Sequence, residues 1–125
     1  MDVRRVEIKE IKEAGVIKAT IRHCNYDAIH KINDNFMFTA TSSLNVDSPF
    51  GFYNKSKYYM MPYSYSAIAR CMPGDEYDFE TGKRIAIKKL SEKYNKGIDK
   101  RVARFAKDMA KAVESANKYL ENKKI

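Results

Sequence analysis

The side chains best suited to binding chemistry lie in the C-terminal third of the chain, where cations recur at helical intervals. Lys100, Arg104, Lys107 and Lys111 are spaced by four, three and four residues, with Arg101 beside them. This spacing places them on one face of a helix. Cations near a helix N-terminus oppose the helix dipole, so an anion bound there would be stabilised. The pattern predicts an anion site formed by Lys100, Arg101, Arg104 and Lys107; a solvated face, relieved by Asp108, is the alternative.

A second group of candidates lies in residues 50–65, of which seven are aromatic, with two lysines between them. Aromatic residues in strands usually fill cores. Tyrosine also offers a flat face, and stacking on a base contributes ~1–3 kcal/mol. Both uses remain open. For a nucleotide ligand we expect Tyr63 or Tyr65 to stack on the base.

The segment 66–90 joins the mainly β part of the chain to the helical C-terminal part. Pro73-Gly74 predicts a turn, and Asp75 or Asp78 can cap the helix that follows. The acidic residues after the turn complement the helix N-terminus and would repel a phosphate. The segment therefore reads as a structural hinge. Its one candidate for anion binding is Arg70, at the end of the preceding strand.

Catalytic and metal-binding patterns are absent from the sequence. It contains no nucleophile–base motif, no paired carboxylates beyond the capping aspartates, no Walker loop and no H-E-x-x-H. Cys24 and Cys71 fit reduced thiols, and His23 beside Cys24 lacks a clustered second ligand pair. We expect His23 to be a hydrogen-bonded core residue, and we expect no catalytic residue, no metal and no cofactor.

Composition limits the classes of protein and partner. The chain has 125 residues, a net charge of +8 and 44% hydrophobic residues, enough for one domain with its own core. Strong positive charge favours an anionic partner. The sequence has no run long and apolar enough for a membrane span, and residues 1–13 lack the apolar core of a signal peptide. We therefore expect cytoplasmic residence and no membrane partner.

Hydrophobic periodicity predicts an α+β fold within a single domain, 1–125, mainly β over 1–72 and helical over 75–122. Alternation predicts a hairpin of strands 3–11 and 16–24 with its turn at 12–15. One or two helical turns follow within 25–35, then a strand candidate at 36–40 and a polar loop to Pro49. Residues 65–72 read as the last strand of an antiparallel sheet.

Two C-terminal helices complete the predicted fold, the last one long. The first runs over 78–94 with an apolar face that includes Gly82, where we expect another backbone to approach closely. Asn95-Lys96-Gly97 is expected to end it. The second runs over 98–120, and its apolar seam contains Ile98, Val102, Phe105, Met109, Ala112, Ala116 and Tyr119. Because this helix is long for a small domain, we expect its C-terminal half to support a homo-oligomer.

A local motif carries a family resemblance. Residues 69–86, ARCMPGDEYDFETGKRIA, contain Cys-x-Pro-x-Asp-x-aromatic-Asp followed by Gly and Ile-Ala. The motif resembles one that is common in small phage and prophage proteins. The size, the β-then-α order and the Lys-rich composition of the chain are similar to those of the phage anti-Thoeris sponges of the first kind. That resemblance implies an anti-defence phage protein acting in the host cell, which sequesters cyclic ADP-ribose isomers without cleaving them. It also implies dimers or larger oligomers, some of which hold cyclic oligonucleotides.

The sequence therefore predicts a non-enzymatic protein that sequesters a cyclic nucleotide, with phosphates on Arg101 or Arg104. Two other functions stay open. One is a nucleic-acid-binding or anti-CRISPR-like protein that uses the same basic face. The other is a protein–protein inhibitor that acts through the aromatic segment.

Overall fold

The computed structural model describes residues 1–37 and 56–123. The described chain is α+β, as predicted, with a three-stranded antiparallel sheet followed by a long helix. Its residues group into two compact units, Met1–Asp27 with Met61–Ile98, and Ala28–Met60 with Asp99–Ile125. We refer to these as the first and second units. The single-domain assignment stays a prediction. Among the described residues, no helix has both the length and the apolar character needed to cross a bilayer.

The first unit contains the sheet, in the order β1-β2-β3: β1 (Val6–Ile11), β2 (Val16–Ile21) and β3 (Tyr65–Arg70). A short 3-10 helix, Val3–Arg5, replaces the start of the predicted first strand. The hairpin turn lies where it was predicted, as the 3-10 helix Lys12–Ala14 followed by Gly15 at φ +61°. In the register, Ile17 pairs with Glu10 on β1 and with Ala69 on β3.

The remaining elements are helical: α1 (Asp27–Ile32), continued by the π-helix Asn33–Met37, then α2 (Ser56–Tyr59) and α3 (Phe79–Asn122). The predicted strand at 36–40 is wrong at its start, because Phe36 and Met37 are helical; its other residues lie outside the described residues. The predicted loop before Pro49 and the aromatic residues Phe50, Phe52 and Tyr53 lie there too.

The predicted break at Asn95-Lys96-Gly97 is wrong, because α3 continues through it. Gly97 does not adopt a positive φ. A Cβ atom at this position would overlap the hydroxyl of Tyr65, so the glycine allows close packing where it was expected to cap a helix. Helical backbone accepts glycine at a cost of about 1 kcal/mol, which packing offsets. The two predicted helices are therefore one.

The prediction that His23 is a core residue of the second strand is also wrong. β2 ends at Ile21, and His23 has a left-handed backbone with φ +61° and an exposed side chain. Its ring lies edge-on to Tyr63, with 4.9 Å between centroids, and Tyr63 Oη lies 3.2 Å from His23 Nε2. The strand alternation that predicted a core histidine fails because the strand has already ended.

The core of the first unit lies between the sheet and α3. Ile17, Ala19, Ile21, Ala67 and Ala69 are buried on the sheet, and Ala86, Leu90 and Tyr94 are buried on α3. Behind them, Asp27 accepts hydrogen bonds from Arg5 Nη1 and Tyr94 Oη, both at 2.8 Å. Burial and the bond to Asp27 raise the pKa of Tyr94. Asp27 is half-buried, and a carboxylate that is paired in this way avoids the desolvation cost of an isolated charge.

The second unit packs around an aromatic cluster. Ile29, Ile32, Tyr59 and Phe105 form its buried core, with Val102 against it. Tyr59 Oη donates to Asp108 at 2.6 Å, and burial together with this bond raises the pKa of Tyr59. The first half of the predicted seam on α3 is thus a core, since Phe105 is buried.

Gly82 offers a test of how α3 meets the sheet. A Cβ atom built there would lie 2.5 Å from Ile17 Cδ1, so the close neighbour is a side chain and the expected backbone approach is wrong. Gly82→Ala should destabilise the fold, since overpacking costs ~1–3 kcal/mol and the gain in helix propensity returns only ~1 kcal/mol. Urea unfolding of Gly82→Ala, Ile17→Val and the double variant measures the coupling.

In that double variant the alanine methyl occupies the space that Ile17→Val vacates. We expect the double variant to be more stable than the sum of the single effects by about 1 kcal/mol. Additive effects would show that the two side chains do not compete for one space.

Asp78 caps α3, as one of the two predicted caps. Its carboxylate accepts from Glu80 N at 3.2 Å and from Thr81 Oγ1 at 2.5 Å, and the Thr81 bond is the main reason that its pKa is lowered from 3.8. A carboxylate whose pKa is lowered by folding stabilises the folded state above pH 3.8. This stabilisation is lost as the pH falls through the pKa of the folded state.

We therefore expect Asp78→Ala to lower the melting temperature at neutral pH, and the difference from wild type to shrink below pH 3.8. Asp78→Asn retains an acceptor oxygen but has no charge, so its melting temperature at neutral pH should lie between those of Asp78→Ala and wild type. Melting temperatures of the three proteins across pH make the comparison. A difference between Asp78→Ala and wild type that does not change with pH would rule out the charged cap.

Candidate functional site

A groove within the first unit lies beside the Pro73-Gly74 turn and has a volume of about 600 Å³. We call it the turn groove. It is formed by the hairpin loop at Gly15, the end of β3 from Ala69, the turn itself and the start of α3 as far as Lys89. Its volume falls in the range typical of small-molecule sites, ~300–1,000 Å³.

Backbone hydrogen bonds build the wall of the turn groove. Cys71 N donates to Gly15 O at 2.8 Å, which extends the sheet by one pair, and Asp75 N donates to Met72 O at 3.0 Å, which closes the turn. Gly74 has a φ of +91°, which favours glycine. The thiol of Cys71 donates to Asp75 O at 3.4 Å. The turn predicted from Pro73-Gly74 is confirmed, and these bonds hold it against the hairpin.

Tyr77 connects the turn to the opposite edge of the sheet. Its hydroxyl donates to the carboxylate of Glu10 on β1, and this bond raises the pKa of Tyr77 to about 12. The ring of Tyr77 is half-buried and lines the turn groove. No local sequence pattern predicts this contact, because Glu10 is brought near the turn only by the register of the strands.

The chemistry of the turn groove is mixed. Met72 and Ile85 provide apolar surface and are 64% and 41% exposed. Arg70 and Lys89 contribute positive charge, whereas Asp75, Glu76 and Asp78 contribute carboxylates. Such a lining can bind an anionic group at the cations, accept hydrogen bonds from hydroxyls at the carboxylates, and cover an apolar surface. Within the described ranges, no group of three or more His, Cys, Asp or Glu side chains could hold a metal ion.

A second groove, of about 460 Å³, lies along the edge of β3 that is not paired with another strand in the described part of the chain. We call it the edge groove. Its lining consists of Ala67, Ile68, Lys89, Glu92, Lys93 and Lys96. Lys93 Nζ donates to Ser66 O at 2.9 Å and Lys89 Nζ donates to Ile68 O at 3.4 Å. Three lysines against one glutamate make this groove basic.

The predicted anion ligands on α3 belong to the second unit. Lys100 and Lys107 are exposed, and Arg101 is half-buried. Arg104 is engaged with Tyr58: its guanidinium lies 4.7 Å from the ring centroid, and its Nη1 donates to Tyr58 O at 2.5 Å. A cation held by a ring and a carbonyl has a structural role already. Ligand binding by these four residues stays a prediction.

The other predicted ligand residues lie in the first unit. Arg70 lines the turn groove. Tyr65 is half-buried with its ring edge-on to Tyr94, 6.1 Å between centroids, and Tyr63 lies against His23. Tyr65 and Arg70 occupy opposite ends of β3, about 16 Å apart at the strand rise of ~3.3 Å per residue. The turn groove therefore combines Arg70 with Tyr77 and Lys89, which the sequence reasoning did not select as ligand residues.

One signal could have indicated one of these residues. Tyr77 directly precedes the helix start that the Pro-Gly turn and Asp78 locate, so it lies near the end of the strand that carries Arg70; Lys89, in the third turn of α3, has no such local signal.

No protein-family profile matches this chain, and comparison with curated proteins and with solved structures found no match. Function must therefore be inferred from the geometry of these grooves.

Proposed function

We propose that this protein binds an anionic small molecule of nucleotide size in the turn groove and holds it without transforming it. The observation that carries the proposal is the groove of about 600 Å³, which combines apolar surface with Arg70 and Lys89. Guanidinium and ammonium groups bind phosphate through charge-assisted hydrogen bonds. The carboxylates of Asp75 and Glu76 can accept hydrogen bonds from ribose hydroxyls, and Tyr77 and Met72 offer surfaces to a base.

Binding without catalysis is favoured by the state of the ionisable groups. Asp78 caps α3, Tyr77 and Glu10 hydrogen bond to each other, and the Cys71 thiol donates to a backbone carbonyl. A general acid or base must be able to exchange a proton with its substrate. Tyr77, Asp78 and Cys71 are committed to structural contacts and are poorly placed to do so, so this part of the groove lining supports a binding protein over an enzyme.

A cyclic nucleotide is the ligand class we favour. The resemblance of the chain to the anti-Thoeris sponges in size, β-then-α order and Lys-rich composition suggests a cyclic ADP-ribose isomer or a cyclic oligonucleotide. Residues 69–86, whose motif resembles one of small phage proteins, form much of the turn groove. In this form of the proposal, the protein is a phage product that acts in the host cytoplasm. It removes a nucleotide signal of host immunity by sequestering it.

The ligand test uses calorimetry with cyclic ADP-ribose isomers and cyclic dinucleotides, followed by heat denaturation and recovery of the ligand. We expect tight binding and intact ligand. Arg70→Ala and Lys89→Ala should each weaken binding about tenfold or more, since hydrogen bonds to charged groups contribute ~1.5–3 kcal/mol. Lys88→Ala is the matched control, because Lys88 is exposed on the same helix and does not line the groove.

Three results would contradict the proposal. Recovery of a cleaved ligand would indicate an enzyme. Equal losses in Lys88→Ala and Lys89→Ala would indicate unspecific charge attraction. Retention of no nucleotide by the wild-type protein would exclude this ligand class.

Nucleic-acid binding is the second candidate, because Lys100 and Lys107 are exposed in the second unit. Contacts with several phosphates would make the affinity fall steeply between ~50 and 200 mM salt. The affinity for a small ligand in the turn groove should depend far less on the salt concentration. Titration of the same protein with single- and double-stranded DNA across this range separates the two candidates.

The C-terminal part of α3 supports self-association. Every residue from Met109 to Lys123 is exposed, and Val113, Tyr119 and Leu120 are 60%, 58% and 55% exposed. A solitary helix of this length is marginal in water. Residues 109–123 carry three lysines against two glutamates, so a second copy meets little of the repulsion that the net charge of +8 implies. We propose that this face forms a homo-oligomer.

Met109→Asp should shift the oligomer toward monomer, because it places a charge in the apolar contact. Ala110→Asp is the control, since it adds the same group beside the apolar face. Sedimentation of both variants and of the wild type measures the effect. A monomeric wild-type protein, or assembly that survives Met109→Asp, would exclude this interface.

A further inference from the structure

The outer edge of β3 has backbone groups that point away from the sheet. β3 is the last strand in the order β1-β2-β3, so its only strand neighbour in the described chain is β2. Cys71 N donates to Gly15 O, on the β2 side. Successive residues of a strand direct their hydrogen-bonding groups to alternate sides. The backbone N–H and C=O groups of the odd-numbered β3 residues therefore point toward β2, whereas those of Ser66, Ile68 and Arg70 point away from the sheet.

Two side-chain contacts agree with this direction. The carbonyls of Ser66 and Ile68 accept from Lys93 Nζ and Lys89 Nζ, at 2.9 and 3.4 Å. Both contacts are solvent-exposed. Exposed contacts of lysine contribute little stability, so an incoming group can displace them at small cost.

The edge groove places positive charge along this edge. Lys89, Lys93 and Lys96 are spaced by four and three residues on α3, and all three line the groove. Ile68 is 39% exposed beside them. The groove thus combines an open strand edge, a row of ammonium groups and one apolar contact.

We propose that the edge groove binds an extended acidic peptide segment, which adds a fourth strand to the sheet beside β3. An extended peptide supplies both donors and acceptors to a strand edge. A polynucleotide phosphate could engage the lysines, but it has no donor for the carbonyls of Ser66 and Ile68. The alternation of N–H and C=O groups along the edge therefore selects a peptide.

The geometry also specifies the peptide pattern. Peptide residues opposite Ala67 and Ala69 share the sheet face on which α3 packs, so acidic side chains there would meet the lysines. The residue opposite Ile68 lies on the other face and should be apolar. A five-residue strand spans about 13 Å at ~3.3 Å per residue, so it is one residue shorter than β3. The expected ligand has acidic residues on either side of an apolar one.

The probe is a labelled peptide, Thr-Glu-Val-Glu-Thr, titrated by fluorescence anisotropy and by amide NMR shifts. We expect the largest shifts at Ser66, Ile68 and Arg70. The same peptide N-methylated at valine keeps its charge and loses the central donor, and should bind about tenfold more weakly. Lys93→Glu and Lys96→Glu should each lower affinity by about the same factor. Lys88→Glu, exposed and outside the groove, should leave affinity unchanged.

Several outcomes would overturn the proposal. Equal binding of the N-methylated peptide, or equal affinity for polyglutamate or single-stranded DNA without edge shifts, would reduce the surface to charge attraction. No binding of the probe by the folded wild-type protein would exclude it. If Lys93→Glu melts early, Lys93→Gln replaces it. Lys93 and Lys96 do not line the turn groove, so their variants should leave nucleotide binding intact, which separates failure of this proposal from failure of the proposed function.

Discussion

The contact between Ile17 on the central strand and Gly82 on α3 is the constraint on which the first unit depends. Ile17 is 1% exposed, and its Cδ1 occupies the space that a side chain at position 82 would need. This close approach holds the start of α3 on the sheet, directly after the Pro73-Gly74 turn. The turn groove forms because that turn has to connect the end of β3 to a helix held so near. The edge groove forms for the same reason, since Lys89 and Lys93 reach the outer edge of β3 from that helix.

Many residues with the chemistry of ligand binding are used for packing. Arg104 lies over Tyr58, Tyr65 packs edge-on to Tyr94, and the hydroxyl of Tyr59 binds Asp108. Each combines apolar surface with a polar group, which suits both a nucleotide pocket and a partly buried core. Periodicity places such residues on a helix face but does not say what covers that face. The site we favour accordingly lies at the hinge segment, where the sequence alone indicated repulsion of phosphate.

The carboxylates of that segment explain the difference. Asp78 is committed to Glu80 N and Thr81, and its charge is partly satisfied by the helix N-terminus. Arg70 arrives from β3 and Lys89 from the third turn of α3, so the groove is lined by both signs of charge. Local sequence showed the acidic residues together because they are neighbours in the chain. The cations come from elements that only the register and the helix packing bring to the groove.

The sequence predicted the structure correctly where a single residue determines its own backbone conformation, or where apolar and polar residues alternate along a strand. The α+β class, the hairpin turn at residues 12–15, the turn at Pro73-Gly74 and a cap at Asp75 or Asp78 follow from such local rules, and the structure places the cap at Asp78. Gly97 shows where they stop. A glycine near the end of a periodic segment can cap a helix or admit a neighbour, and both have the same sequence signal. The tertiary structure decided between them, because the hydroxyl of Tyr65 needs that space and the helix gains by continuing past it.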